Sequence, residues 1–173
     1  MTYAERPLLF HNDGGKKFEL VPAVEGTSLA DVIPARGAAF GDLFNTGKID
    51  VVVNVMDSHP VLMRNVFETS NHWVKLKLVG GPKSPRDAIG ATVYVKANGM
   101  RQRCDVMAGG SFLSSSDPRL HFGLGEATTV EDAEIHWPSG TVEHVKIPAI
   151  DRIYTIEEGK GITGEMKPSG IKA

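Results

Sequence analysis

The chain has 173 residues, and 41% hydrophobic residues are enough to fill an ordinary core in one large domain or two small ones. A formal net charge of −2 gives no global field to draw in nucleic acid or an anionic membrane surface. No apolar run approaches the roughly 18 residues that a bilayer crossing needs, the first residues lack the cationic start and apolar stretch of a signal peptide, and the single cysteine, Cys104, excludes an internal disulfide.

Along the chain, Pro7-Leu8-Leu9-Phe10-His11-Asn12 recurs 53 positions later (7 to 60) as Pro60-Val61-Leu62-Met63-Arg64-Asn65, a period about the size of one propeller blade or similar β unit. Between the copies lie apolar runs of strand length, Lys17 to Val21, Ala38 to Phe40 and Ile49 to Val55, divided by Asn12-Asp13-Gly14-Gly15 and Asn45-Thr46-Gly47 turn clusters. From Asn71 the alternation is cleaner. Val74, Leu76 and Leu78 point one way and Lys75 and Lys77 the other, as on a strand with one wet face. Val93 to Arg103 is a hairpin whose Asn98-Gly99 supplies the positive φ angles of a type I′ turn. That turn sets Ala97 opposite Met100, Lys96 opposite Arg101, Tyr94 opposite Arg103 and Val93 opposite Cys104, so Cys104 is expected in the core. A second hairpin, Ala133 to Trp137 and Thr141 to Ile147, turns at Pro138-Ser139-Gly140, and Arg152 to Glu157 closes the sheet. No helical period exceeds two turns, so the expected class is all-β. After Gly159 the chain is rich in glycine and lysine without periodicity, and residues 162–173 are expected to form a flexible tail.

Three constellations invite chemistry. In "GDLFNTGKID", residues 41–50, counting Asp42 as position 1 of a calcium loop keeps the glycine bend at Gly47. It leaves only Asp42, Thr46 and Asp50 as side-chain oxygens, with Phe44 where a ligand should be. That set is short of the 6 to 8 oxygens calcium takes, so no metal is expected, and if one is present these three residues hold it. Asp117 and His121, with Arg119, suggest a hydrolytic site, but Leu120 and Phe122 alternate inward and leave His121 and Arg119 on an outward face, away from a triad's geometry. His136 and His144 stand on the two arms of one hairpin, and without a third ligand of evident spacing they read as surface histidines. The candidate ligand surface is the hairpin face of Tyr94, Lys96, Arg101 and Arg103, extended by Lys75 and Lys77, which suits an acidic glycan or acidic protein.

Two resemblances organise these residues. Arg36-Gly37-Ala38-Ala39-Phe40-Gly41-Asp42, the loop, and Ile49-Asp50-Val51-Val52-Val53 resemble an FG-GAP or VCBS repeat, the blade unit of integrin-type propellers. The family's acidic residues are Phe44 and Thr46 here, which weakens the calcium role that the resemblance implies. From about Asn71 to Gly161 the chain is similar to the ASPIC/UnbV domain, through Asn71-His72-Trp73, Arg86-Asp87-Ala88-Ile89-Gly90-Ala91, Asp117-Pro118-Arg119-Leu120-His121-Phe122-Gly123-Leu124-Gly125 and Trp137-Pro138-Ser139-Gly140. The resemblance implies an extracellular or periplasmic module of adhesive type and carries no catalytic residues across.

The expected architecture is thus all-β: a partial β-propeller blade at 1–70, packed on or linked to an antiparallel β-sandwich at 71–161, then the tail. The expected function is non-enzymatic recognition or adhesion as the C-terminal part of a larger exported repeat protein. Expected partners are a glycan or protein, the missing blades, or a second copy joined through exposed blade edges. The alternatives are a structural propeller cap without a ligand of its own, and a glycan-acting hydrolase using Asp117 and His121.

Overall fold

A computed structural model describes residues 3–170. Thirteen strands and no helix occur among them, so nothing there is a helix long and apolar enough to cross a membrane. The first strands, β1 (Phe10–Asp13) and β2 (Lys17–Leu20), form a hairpin paired only with itself. A three-stranded antiparallel sheet follows, in which β4 (Asp50–Val55) lies between β3 (Ala35–Gly41) and β5 (Val61–Met63). The two copies of the internal repeat therefore fall in different sheets, the first at β1 and the second at β5.

The remaining strands are β6 (His72–Val79), β7 (Thr92–Ala97), β8 (Met100–Asp105), β9 (Leu120–Gly125), β10 (Asp132–His136), β11 (Val142–His144), β12 (Arg152–Glu157) and β13 (Gly161–Met166). They build two four-stranded sheets, ordered β11-β10-β7-β8 and β13-β12-β6-β9. Period-two alternation creates the core. Val93, Val95, Ala133 and Ile135 project from one sheet, and Val74, Leu76, Phe122, Tyr154 and Ile156 from the other, all fully buried. The β7–β8 register is the one the turn dictates, Lys96 against Arg101 and Val93 against Cys104, with Asn98 and Gly99 at φ 47 and 73. Cys104 is half-buried against the core, and burial pushes its thiol up.

Two expectations are corrected. The sandwich is not wholly antiparallel, because β12 lies parallel to β6. The chain leaves β11 at the edge of one sheet and crosses to the other with Ile147 buried on the way, so β12 enters beside β6 in the same direction. Tyr154 pins this crossover: its buried hydroxyl donates to the Ala149 carbonyl at 3.0 Å and accepts from the Ala149 N–H at 3.1 Å. The expected tail is also not loose at its start. Gly161–Met166 pair with β12 as an edge strand, and Ser169 donates from its backbone N–H to the Asn45 carbonyl at 2.8 Å. Edge pairing stabilises a strand through backbone hydrogen bonds and needs little apolar side chain, so hydropathy alone does not reveal β13. Residues 171–173 of the expected tail lie outside the described residues.

Candidate functional site

The calcium-like loop and the sandwich meet through one buried ion pair. Asp42 directly follows β3 and Lys75 lies in mid-β6, and both side chains are fully buried, with Lys75 Nζ donating to Asp42 Oδ2 at 2.7 Å. The same carboxylate accepts from the backbone N–H groups of Thr46 and Gly47, each at 2.8 Å. Burial alone would raise the Asp42 carboxyl, but the Lys75 ammonium and these two N–H groups outweigh it and hold it below the usual aspartate range. Burial lowers the Lys75 ammonium, an effect that Asp42 opposes.

The loop's remaining residues are committed elsewhere. Asp50 Oδ1 accepts from the Asn65 N–H at 3.0 Å and its Oδ2 from the Leu43 N–H at 3.3 Å. The Phe44 ring lies 4.4 Å from the Arg64 guanidinium, Lys48 turns outward to Glu68 at 2.7 Å, and the Thr46 hydroxyl donates weakly to Asp42 at 3.4 Å. All four carboxylate oxygens of Asp42 and Asp50 therefore face N–H or ammonium donors. This donor set does not fit a calcium ion, which needs free oxygens turned toward it.

Around the ion pair the sandwich supplies a second layer of contacts. Gly47 has φ +86, and a Cβ there would overlap the Trp73 indole, so the loop bend and the sandwich wall fit only with glycine. Trp73 stacks on His121 with ring centroids 5.8 Å apart, and His121 pairs across the β6–β9 ladder with Lys75. The Nδ1 atom of His121 is buried with no hydrogen-bond partner, and burial followed by the nearby Lys75 charge lowers its pKa to about 4. Arg119 spans the joint. It donates to both oxygens of Asp117, to Asn45 Oδ1 at 2.6 Å and to the Asp42 carbonyl at 3.0 Å. Beside it the Asp117 N–H donates to the Phe40 carbonyl at 2.8 Å, and the Phe40 N–H donates back to the Ser116 hydroxyl at 3.2 Å.

The wet-face assignment of Lys75 is thus corrected: β6 has two buried faces here, because the N-terminal unit covers its outer one. His121 does lie on the face opposite Leu120 and Phe122, but that face is covered, and its ring stacks on Trp73 instead of meeting solvent. One sign was readable, since Trp73 shares its side of the strand with Lys75, and a tryptophan on an exposed face is unusual. For the hydrolytic pair, Asp117 gives both oxygens to Arg119 while His121 Nδ1 has no partner. Ser114 and Ser115 donate to the Phe112 and Ala108 carbonyls. A groove of about 490 Å³ adjoins the joint, lined by Lys77, Asp117, Arg119, Thr155 and Glu165 but not by His121.

The candidate ligand face lies on the opposite side of the molecule, on the sheet β11-β10-β7-β8, so Lys75 and Lys77 on β6 do not extend it. Arg101 stacks over Tyr94 at 3.8 Å and Arg103 lies at 6.0 Å from the same ring. The cations are neutralised in place: Lys96 pairs with Glu131 at 2.9 Å, Arg101 with Glu134 at 2.9 Å and Arg103 with Asp105 at 3.0 Å. The face is a row of cations from β7 and β8 met by carboxylates of β8, β10 and the turn before β10, and the charge pattern of the chain hid the partners of Lys96 and Arg101 because they are distant in sequence.

Comparison with curated proteins gives no match. The ASPIC and UnbV family model matches residues 81–163, so an ASPIC/UnbV domain is present and runs from before β7 into β13, with β6 ahead of it completing the sandwich.

Proposed function

We propose that this chain is a non-catalytic capping module of an exported, propeller-like protein. The ASPIC/UnbV sandwich fastens a blade-like unit on one side, and that unit offers its other surfaces to further β-sheets. The observation that carries this reading is the lopsided burial of residues 3–70. Val53 and Val55 are the only buried hydrophobic side chains there among the described residues, while Leu8, Phe10, Phe18, Leu20 and Phe67 are at least half exposed. A three-stranded sheet and a lone hairpin with so little core need a neighbour. In the FG-GAP or VCBS reading of the loop, Lys75 supplies from the sandwich the positive charge that calcium supplies to acidic loops of that kind. A capping sandwich thereby locks the last blade without a metal.

A second copy of the chain is the simplest substitute for a neighbouring blade. Sedimentation over a rising concentration series is expected to show reversible self-association that Phe10→Lys with Phe18→Lys abolishes. A monomer at every concentration, with these phenylalanines equally open to labelling throughout, would overturn the capping reading.

The Tyr94, Arg101 and Arg103 stack favours a second reading, recognition of a glycan or protein through the sandwich face. Reversal of Lys96, Arg101 and Arg103 to Glu tests it in a glycan and protein-partner screen, and binding unchanged by the reversals would remove that face from consideration.

A further inference from the structure

From the geometry of the β10–β11 hairpin we infer a binding site for a divalent transition cation of the zinc class, held by Asp132, Glu134 and His144 with solvent completing its coordination. The strand register creates it. Glu134 stands directly opposite His144, and Asp132 and His136 lie two positions either side of Glu134, so all four side chains share one face of a two-stranded ribbon. One donor atom each from Asp132, Glu134 and His144 lie within 4.8 Å of one another. His144 Nδ1 is already 3.0 Å from Asp132 Oδ1, and His136 Nε2 touches Glu134 Oε1. Ligands around a four-coordinate ion with bonds of about 2.1 Å stand about 3.4 Å apart, so small side-chain rotations bring the donors of Asp132, Glu134 and His144 into place.

The chemistry selects the ion class. One imidazole and two carboxylates are an N/O set suited to zinc-like ions, where calcium and magnesium want oxygen alone. The two carboxylates match the dication's charge. The support is also built: β10 is paired on both sides, by β7 and β11, which fixes the backbone of both carboxylates and of His136. Arg101 holds the second oxygen of Glu134 at 2.9 Å, which fixes the orientation of its carboxylate. The edge strand β11 carries His144 on its open side, with the side chain 62% exposed, and gives the ion an entry path.

Titration of the full chain with Zn²⁺ by calorimetry tests the site. One saturable Zn²⁺ per chain is expected, with His144→Ala and Asp132→Asn each weakening binding by at least about tenfold, His59→Ala leaving it unchanged and Ca²⁺ failing to compete. Both ligand positions are partly exposed, so their variants are expected to keep the parent's melting temperature without metal. Imidazole NMR resonances of His144 are expected to move with added Zn²⁺. No saturable binding, binding indifferent to both substitutions, preference for Ca²⁺, or shifts confined to His11 and His59 would each overturn the assignment.

Discussion

Residues 72–166 and residues 3–70 are both built from short strands, yet they hold together by different physics. In the sandwich, alternation on two facing sheets produces a dry interior of Val, Leu, Ile, Phe and Tyr side chains, eight or more of them without any exposure. At roughly 1.5 to 3 kcal/mol for each large apolar side chain buried, that interior sustains a fold. The N-terminal unit has no comparable interior, and its best-buried groups include Asp42 and Asp50. It is organised by directional polar contacts: a carboxylate that gathers the loop's N–H groups, and a lysine from the other unit that neutralises it. The lesson is that one strand can serve both schemes, since β6 gives Val74, Leu76 and Leu78 to the apolar core and Lys75 to the ion pair on its reverse side.

That contrast is open to direct attack. Phe122→Ala, in the sandwich core, is expected to cost about 3 to 5 kcal/mol and to unfold both units together in urea, because the N-terminal unit leans on the outer face of β6 and β9. Asp42→Ala is expected to cost a similar amount, about 3 to 5 kcal/mol, by leaving Lys75 buried and unpaired and two N–H groups without an acceptor. Its signature differs: amide exchange accelerates in β4 while β7 and β10 keep their protection. Equal acceleration everywhere would mean that the two units are not distinct in stability.

Acid comes next in size. The folded-state pKa of His121 is about 4, against about 6.5 for an unfolded histidine, so below pH 6.5 the unfolded chain takes up the proton first. Stability from this group is level above pH 6.5 and falls as pH drops from 6.5 to 4, by about 3 kcal/mol at most. The Asp42 contribution lies in a lower window, since its pKa is depressed and its charge is lost only in stronger acid. Urea midpoints at pH 7 and pH 4.5 measure the His121 effect, and His121→Gln is expected to flatten the difference. Gly47→Ala is expected to cost about 2 kcal/mol through the positive φ and the clash with Trp73, read as a shift in the urea midpoint and a change in tryptophan fluorescence. Smallest of all, Phe18→Ser on the exposed hairpin is expected to change stability by less than about 0.5 kcal/mol while reducing self-association, and a large loss of stability would show that β1–β2 has a core contact the contrast denies it.

Some of this is legible in the sequence alone. The β7–β8 hairpin is a local matter, because Asn98-Gly99 fixes the turn and the turn fixes the register residue by residue. The closing strand Arg152–Glu157 and the inward row Val74, Leu76, Leu78 follow from alternation alone. The joint was not legible in the same way. Asp42, Thr46 and Gly47 read as a thinned metal loop, but nothing within the loop names Lys75, 33 positions away, as the cation that completes it. The pairing on the Tyr94 face was hidden for the same reason. Arg101 meets Glu134 across β7, and a strand pattern read one segment at a time shows the cation without its partner.

What the sequence determined by itself is therefore whatever depends on neighbours a few residues apart: the all-β class, the turns, the β7–β8 register and which side of β6, β7 and β9 turns to the apolar core. Tertiary structure decided the rest. It covered the second face of β6, paired β12 in parallel, turned Gly161–Met166 into an edge strand and set Asp132, Glu134, His136 and His144 on one face of a ribbon. The physical reason is range. Backbone dihedrals and side-chain alternation are set by local sterics and local hydropathy, whereas the partner of a charge is set by which surfaces pack together.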